Sequence, residues 1–257
     1  GYACAQFAEV RRRRFPLSDS EWMTCAGATV VFDGIESPTT QTFGLGLFEE
    51  LSDAALEEIE DFFFERSTSV MHEVSPMAGA AALDLLCARN YRPFEISNVL
   101  YRKVEKPDSK IASEIRVRIV EPEEAQLWSS VNARGWTHEH PELASFVEDA
   151  GTLCIAREQS PCFLGEFDGR AGAAGVLCLH EGVALFGGSA TIPELRGRGL
   201  QAALLQERMR YAFEAGCDMA MMVAEAGSNS QRNAERKGFR VAYTRLKWRL
   251  PLPEADF

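Results

Sequence analysis

The two halves of the chain resemble each other, and this internal repeat constrains the fold more than any other feature of the sequence. Phe64–Met71 can be aligned with Phe213–Ala220 at an offset of 149 residues (213 minus 64). After one small gap, Asn90–Arg92 aligns with Gly238–Arg240. Solenoid repeats span only about 20–50 residues, so a repeat of this length predicts a duplicated domain instead.

Each half predicts the same order of elements: helix, buried strand, helix, turn and strand. Leu56, Ile59 and Phe63 recur at helical spacing, whereas short continuous apolar runs indicate buried strands. The predicted pairs are helices 53–66 and 200–215, strands 69–74 and 219–223, helices 77–89 and 230–237, and strands 94–104 and 241–250, the last two closing their own halves. Strands joined by helices predict an α/β or mixed α+β fold.

A polar segment divides the two halves. Residues 105–114 read EKPDSKIASE, contain a proline and separate two strand-like stretches, which is typical of a linker between domains. A chain of 257 residues also suits two domains, since a domain averages about 150 residues. We therefore predict one domain at 1–108 and a second at 109–257.

Charge and cysteine content restrict the partners and the compartment. The chain has 27 Lys and Arg against 38 Asp and Glu, a net charge of −11, so we expect neither a nucleic-acid nor a membrane partner. Its seven cysteines form no CxxC motif and lie among apolar neighbours, which indicates buried free thiols in a cytoplasmic protein. The pair His138 and His140 lacks a third ligand nearby, so no metal site is predicted.

One segment of the second half carries chemistry. A strand is predicted to end near Thr191, Pro193 terminates it, and two glycines and two arginines precede a long helix. Glycines let successive N–H groups face outward, and the helix adds its free amides and the positive end of its dipole. Together with Arg196 and Arg198 they predict a pyrophosphate site. Neither the P-loop motif nor the GxGxxG dinucleotide motif fits the segment.

The segment Arg196-Gly197-Arg198-Gly199-Leu200-Gln201 resembles the acetyl-CoA signature [Q/R]xxGx[G/A] of the GCN5-related N-acetyltransferases (GNAT), with Gln201 in place of the usual small residue. The family's second signature, a helix that ends in Gly-Phe, resembles 228–239. The resemblance covers about residues 114–250 with motifs, and weakly 20–104 through the repeat. It implies two tandem acyl-CoA N-acyltransferase-like domains, each a central mixed sheet flanked by helices, with acetyl-CoA as the acyl donor.

The resemblance also implies which residues bind acetyl-CoA. In this family the strand before the turn separates from its neighbour and pairs with the pantetheine arm, the turn amides hold the pyrophosphate, and the later helix lies beside the thioester. The implied binding residues are Ser189, Thr191, Ile192, Arg196, Gly197, Arg198, Gly199, Leu200, Gln201, Ala202, Ser228, Asn229, Ser230 and Asn233.

The catalytic residues cannot be transferred from the family. Many members place a proton-donating Tyr at the position of Ala234, and some place a general base within the stretch 183–189, which contains no acid here. A water chain can remove a proton from the amine, and thioester aminolysis can depend largely on positioning. The catalytic residues therefore remain unknown, although Trp136, His138, Glu139 and Glu142 are candidates for contact with the acceptor.

The first half looks like a degenerate copy. At the same offset Leu47–Ser52 lies opposite the signature, and Glu49 and Glu50 would repel a pyrophosphate. His72 is interpreted as a structural histidine with satisfied hydrogen bonds, and a role in a pocket is the alternative. We expect the first half to narrow the acceptor cleft, which favours a small-molecule amine, although protein N-termini and lysines remain open. The alternative is a CoA-binding regulatory module without turnover, and the oligomeric state is open between monomer and homodimer.

Overall fold

The computed structural model describes residues 1–35, 37–107, 111–137, 141 and 144–253. The helices in these residues are α1 (Tyr2–Arg14), α2 (Asp53–Phe64), α3 (Gly79–Ala88), α4 (Ala125–Trp136), α5 (Ala144–Cys154), α6 (Leu200–Glu214) and α7 (Asn229–Arg236). The strands are β1 (Glu21–Cys25), β2 (Ala28–Phe32), β3 (Gln41–Phe43), β4 (Val70–Val74), β5 (Arg92–Lys103), β6 (Ile115–Ile119), β7 (Cys162–Phe167), β8 (Arg170–His180), β9 (Val183–Thr191), β10 (Met219–Glu225) and β11 (Arg240–Leu250).

The chain divides into two compact units that interleave along the sequence. The first unit contains residues 1–100, 224–237 and 241–257, and the second contains 101–223 and 238–240. The C-terminal part of the sequence thus contributes a helix and a strand to the first unit. These units are defined by packing, and the division of the sequence into domains at 1–108 and 109–257 stays a prediction.

The first unit is a mixed sheet covered by an amphipathic helix. Its strands follow the order β1-β2-β3-β4-β11-β5, with β3 and β4 parallel and β4 and β11 antiparallel. Helix α2 begins at Asp53 as predicted, because Ser52 accepts a hydrogen bond from the Ala55 amide. Leu56, Ile59 and Phe63 are fully buried, so the predicted helical stripe forms the core.

The last strand corrects one prediction from the repeat. Residues 241–250 were expected to close the second half, but β11 pairs with β4, and Trp248 lies opposite His72. Pairing between strands decides which strands become neighbours, and the order of strands in the chain does not dictate this pairing. The repeat therefore predicted the strand but not its position in the sheet.

The second unit is a sheet whose strands follow the order β10-β9-β8-β7-β6. Strands β6 to β9 pair antiparallel, while β9 and β10 are parallel and are joined by α6. Trp128 of α4 is completely buried and donates a hydrogen bond from its indole nitrogen to the Phe163 carbonyl at 2.9 Å. This contact fixes α4 against the sheet.

The cysteines partly follow the sequence prediction. Five of the seven thiols are buried, Cys4 is half-buried, and Cys87 is exposed, so the prediction of buried thiols is wrong for Cys87. Position 87 lies near the end of α3 on its exposed side, whereas its neighbour Leu86 is buried. None of the helices found in the described residues combines the length and the apolar character needed to span a membrane.

Candidate functional site

The two parallel strands of the second unit separate part-way along their length. Only Val183–Leu185 of β9 pairs with β10, opposite Met219–Met221. Strand β9 continues to Thr191, so from Phe186 onward its backbone on the side away from β8 is not paired with β10. Unpaired backbone N–H and C=O groups of this kind can bind an extended chain. The opening lies at the segment expected to pair with pantetheine.

A bulge lies in β9 where the opening begins. Ala174 pairs with Ala190 and Val176 pairs with Gly187, so Gly188 and Ser189 together oppose Gly175 alone. Gly188 has a φ of +55°, which glycine adopts without the strain that a side chain would add. The bulge therefore bends the strand and redirects its amides beside the opening.

The glycine turn after β9 has the geometry that the sequence predicted. Gly197 and Gly199 have φ values of +76° and +85°, and Gly199 is the left-handed residue immediately before α6. The first intrahelical bond runs from Ala203 to the Gly199 carbonyl, so the amides of Leu200, Gln201 and Ala202 precede it without an intrahelical acceptor. These amides and the helix dipole together favour an anion.

The two arginines of the turn make different contacts. Arg196 donates to the carbonyl oxygens of Thr191 and Gly135, at 3.2 and 3.1 Å, and so ties the turn to β9 and α4. Arg198 is exposed, and its guanidinium lies 5.0 Å from the centre of the Phe167 ring. Arg198 is therefore the turn arginine placed to meet an anion, whereas Arg196 holds the turn in position.

The hydrogen bonds and burial of the residues around the turn determine which of their groups are available to a ligand. Gln201 donates from Nε2 to the Thr191 hydroxyl at 2.8 Å, so its side chain bridges the start of α6 and the end of β9. Ile192 is completely buried, and its amide already donates to the Gly172 carbonyl at 2.9 Å. Ser189 lies in the bulge. The structure thus brings the predicted residues 189–202 together at one end of β9.

Helix α4 approaches this end of β9 very closely. A Cβ on Gly135 would lie 2.5 Å from the Ala190 Cβ and 3.0 Å from the Thr191 amide nitrogen, so only glycine fits. Asn132, one turn earlier, is 5% exposed, and its Oδ1 atom has no hydrogen-bond partner among the described residues. Its Nδ2 atom lies 3.7 Å from where a Gly188 Cβ would be. A buried, unpaired carboxamide oxygen therefore lies next to the bulge.

A second buried polar group lies on the other side of the bulge. Arg208 of α6 is 3% exposed and donates to the carbonyls of Leu204, Val176 and Gly187, each at 3.3 Å. Burial lowers the pKa of Arg208 to about 9. Sequence reasoning did not single out Arg208, although its spacing from Leu200 and Leu204 places a charge on the apolar stripe of α6.

The other predicted acetyl-CoA ligands lie on α7, which belongs to the first unit. Ser228 caps α7 by accepting from the Gln231 amide, and Asn229 and Asn233 accept from Arg232 and Arg236. Ala234, at the position of the family's tyrosine, is 4% exposed. Their role toward acetyl-CoA, with that of Ser230, stays a prediction.

The acceptor side is described only in part. Trp136 is the last residue of α4, whereas His138, Glu139 and Glu142 lie outside the described residues. No cluster of three or more His, Cys, Asp or Glu side chains that could hold a metal ion occurs within the described ranges.

His72 lies in the core of the first unit. The interpretation of His72 as a satisfied core histidine is wrong in one respect: it is fully buried, but neither ring nitrogen has a hydrogen-bond partner among the described residues. Its cross-strand neighbours Thr42 and Trp248 also have buried polar atoms without described partners. Sequence reasoning could place the ring in the core but could not supply its neighbours.

Comparison with protein families assigns a part of the second half to a known family. Residues 123–239 match the model of the Acetyltransferase (GNAT) family. This segment is a GNAT-family domain. It contains the opening between β9 and β10, the bulge and the glycine turn, so the geometry of the site and the family match concern the same residues. No curated protein sequence matches the chain significantly.

Solved structures extend the likeness of the GNAT domain to the fold of the whole chain. A GCN5-related N-acetyltransferase from Kribbella flavida is 16% identical, with 98% of this chain and 97% of that chain covered and a TM-score of 0.70. A tandem GNAT protein from the clavulanic acid biosynthesis pathway is 12% identical, with coverages of 97% and 89% and a TM-score of 0.63. At these identities the likeness shows the fold, which is the predicted mixed α+β tandem arrangement.

Proposed function

We propose that the protein is an N-acetyltransferase that transfers an acetyl group from acetyl-CoA to an amine, most simply the amine of a small molecule. The observation that carries the proposal is the unpaired stretch of β9, which opens beside the bulge and leads directly into the glycine turn of α6. A long ligand with an amide-containing arm and a pyrophosphate suits this arrangement. The family match at 123–239 supports the same donor.

The residues present fit acetyl-CoA in shape and charge. The glycine turn leaves the amides of residues 198–202 for the pyrophosphate, and Arg198 adds an exposed positive charge. The β9 backbone at Ser189 and Thr191 lies on the edge that would pair with the pantetheine arm. We retain Ser228, Asn229, Ser230 and Asn233 as further proposed ligands on the resemblance of α7 alone. We propose no metal in the reaction.

The chemistry is direct aminolysis of a thioester. The neutral amine forms a C–N bond with the acetyl carbonyl carbon, the C–S bond breaks, and the CoA thiolate takes up a proton as the nitrogen loses one. Backbone amides at the bulge would stabilise the negative charge that develops on the carbonyl oxygen. Since Ala234 has no proton to give, we propose that water carries the proton to and from the reacting atoms.

Several finer points belong to the same proposal. We propose the cytoplasm as the compartment, because the chain carries seven free cysteines. The acceptor could also be a protein amine, and the protein could be a monomer or a homodimer. A CoA-binding regulatory module without turnover is the second candidate, favoured by the absence of an acidic residue at 183–189 and of a tyrosine at 234.

Thermal melting with and without acetyl-CoA tests the proposal. A ligand that binds only the native state raises the melting temperature by mass action, so millimolar acetyl-CoA should raise it in the parent. The double variant Arg198→Glu, Gly199→Asp should lose this shift. The control Arg13→Glu reverses an exposed charge on α1 and should retain it. No shift in the parent contradicts the proposal.

Thiol release across a panel of primary amines separates the two candidate functions. The acetyltransferase releases CoA in proportion to the acetylated amine, and small amines should be preferred to peptides with free N-termini or lysines. Tight acetyl-CoA binding with no thiol release on any amine supports the regulatory module instead.

A further inference from the structure

Arg208 lies where an apolar side chain would be expected. Leu200, Leu204 and Arg208 are spaced four residues apart on the buried face of α6, and all three are buried. Burying a guanidinium costs several kcal/mol unless its charge is balanced, and no carboxylate in the described part of the chain is seen to balance this one. A buried cation with this cost calls for an explanation beyond packing.

The guanidinium of Arg208 lies directly against the bulge of β9. Nη1 donates to the carbonyls of Val176 and Gly187, the two residues that pair on one side of the bulge. A Cβ on Gly175, the residue opposite the bulge, would lie 3.0 Å from the Arg208 Cζ atom and 3.2 Å from the Ser189 hydroxyl. The lack of a side chain at Gly175 therefore leaves room for the Arg208 guanidinium, and both residues lie directly at the bulge.

We propose that Arg208 is a positioning residue for acetyl transfer: by holding the carbonyls of Val176 and Gly187, it fixes the β9 bulge and the direction of the amides beside it. The inference rests on the proposed function, since it concerns the amides that would polarise the thioester carbonyl. Arg208 itself acts through the backbone and does not touch the acetyl group.

The physical argument is one of preorganisation. Amides stabilise a developing oxyanion only if they already point at its position before the reaction, because reorientation during the reaction has a cost. A bulge has fewer ladder hydrogen bonds than a regular strand and so is a weak support on its own. Two hydrogen bonds from one charged nitrogen, Nη1 of Arg208, restore that support from the buried side of the sheet, where no ligand would displace them.

A purely structural role makes a different prediction. Replacing a buried charge with an apolar side chain of similar volume is often neutral or stabilising. If Arg208 existed only to fill the core, methionine would serve as well, and the state of a bound thioester would not change. A positioning role instead predicts that the thioester environment changes even when the fold and the acetyl-CoA affinity do not.

The experiment uses acetyl-CoA labelled with ¹³C at the acetyl carbonyl, bound to the full chain at saturation. The carbonyl ¹³C shift reports polarisation of the C=O bond, and the dissociation constant is measured separately. The variants are Arg208→Met and Arg208→Gln, where glutamine keeps a hydrogen-bond donor. Arg210→Met is the control on the same helix, since Arg210 pairs with Glu207 and contacts no part of the bulge through that bond.

In the parent we expect the bound carbonyl resonance to move downfield from that of free acetyl-CoA. Arg208→Met should lose at least half of this displacement while its dissociation constant stays within threefold, Arg208→Gln should lose less, and Arg210→Met should lose none. Retention of the full displacement in Arg208→Met overturns the inference. If that variant does not fold, full retention in Arg208→Gln overturns it and partial loss supports it. A parent that does not bind acetyl-CoA overturns the proposed function and, with it, the inference.

Discussion

The protein contains two parallel strand pairs, each joined by a helix, and they differ in how far the strands remain together. In the first unit β3 and β4 pair through Phe43, the last residue of β3. In the second unit β9 and β10 pair over only the first three residues of the nine-residue β9. The first pair is therefore closed at the end where a ligand could enter, and the second is open.

The helices that follow these strands begin differently as well. The start of α2 is capped by Ser52, whose side chain accepts from the Ala55 amide at 3.2 Å, and Glu49 and Glu50 precede it. The residue before α6 is Gly199, which has no side chain to bond the free amides of the helix. Arg198 precedes this glycine. Helix α2 has a side-chain cap on one amide and carboxylates that repel anions, whereas α6 leaves its free amides for a ligand.

The comparison shows that the same order of strand, turn, helix and parallel strand can serve either stability or binding. A helix N-terminus binds an anion only if the protein does not cap it, and a sheet edge binds an extended chain only if the neighbouring strand moves away. The second unit leaves both kinds of group unsatisfied at one place, whereas in the first unit β3 and β4 stay paired and Ser52 caps α2. The pyrophosphate site and the open strand edge are therefore expected in the second unit.

Exchange of the two turns is expected to have the largest effect. Replacing Arg196–Gln201 by the sequence Leu-Phe-Glu-Glu-Leu-Ser of positions 47–52 should lower acetyl-CoA affinity at least about 100-fold. A carboxylate about 4 Å from a phosphate already costs about 4 kcal/mol near a protein surface, and the exchange adds two carboxylates. Isothermal titration calorimetry of the full chain measures the loss.

The reverse exchange sharpens the same comparison. Placing Arg-Gly-Arg-Gly-Leu-Gln at positions 47–52 of the chain that has lost its own site should not create acetyl-CoA binding, because β3 and β4 stay paired beside the new turn. Binding in that chain would show that the turn alone suffices and that the opening of the strands is irrelevant.

Acid should destabilise the protein through His72 in the closed strand pair. Burial lowers the pKa of His72 to about 3, while the unfolded chain has the ordinary value near 6.5. As the pH falls through 6.5, the unfolded state takes up a proton that the folded state cannot, so stability is lost between pH 6.5 and about 3. The loss is about 2 kcal/mol at pH 5 and about 4 kcal/mol at pH 3.

The variant His72→Phe isolates this contribution from the carboxylates. The difference between the unfolding free energies of the parent and the variant, measured by urea denaturation, should change between pH 7 and pH 4.5 in favour of the variant. Parallel pH profiles of the two proteins would mean that His72 is hydrated or paired in solution, contrary to its buried, unpaired position.

Sequence reasoning reached the parts of the fold that local pattern controls. It placed the starts of α2 and α6 at Asp53 and Leu200, because apolar residues at helical spacing and a glycine turn are local signals. It also placed the glycine turn and the end of β9 near Thr191. These features depend on residues within a few positions of one another.

The features that the sequence did not predict depend on neighbours distant in the chain. Gly135 is required because β9 passes against α4, more than 50 residues later, and Arg208 is explained by a bulge in another strand. The position of β11 beside β4 likewise depends on pairing over some 175 residues. A charge on an apolar helical stripe was the one local signal available for Arg208.

Gly135→Ala should test whether close contact of α4 with β9 shapes the open site. The new Cβ would lie 2.5 Å from the Ala190 Cβ, so the variant should lose about 1–3 kcal/mol of stability through overpacking, and acetyl-CoA should bind more weakly. In the control Gly187→Ala, also at β9, the Cβ would meet Val176 at an ordinary 3.6 Å and should cost less. Equal losses in urea denaturation of the two variants would contradict a special role for the contact at Gly135.

Gln201→Ala should have the smallest effect on stability and acetyl-CoA affinity. It tests whether the glycine turn accommodates glutamine where the family usually has a small residue. The variant loses the 2.8 Å hydrogen bond to Thr191, which should cost about 1 kcal/mol of stability, and a double-mutant cycle with Thr191→Val should recover most of it as coupling. Acetyl-CoA affinity, measured by calorimetry, should stay within about threefold, because the backbone amide of residue 201 remains. A tenfold gain in affinity would mean that the bridge covers the amides of α6, and a tenfold loss would mean that the carboxamide itself binds the ligand.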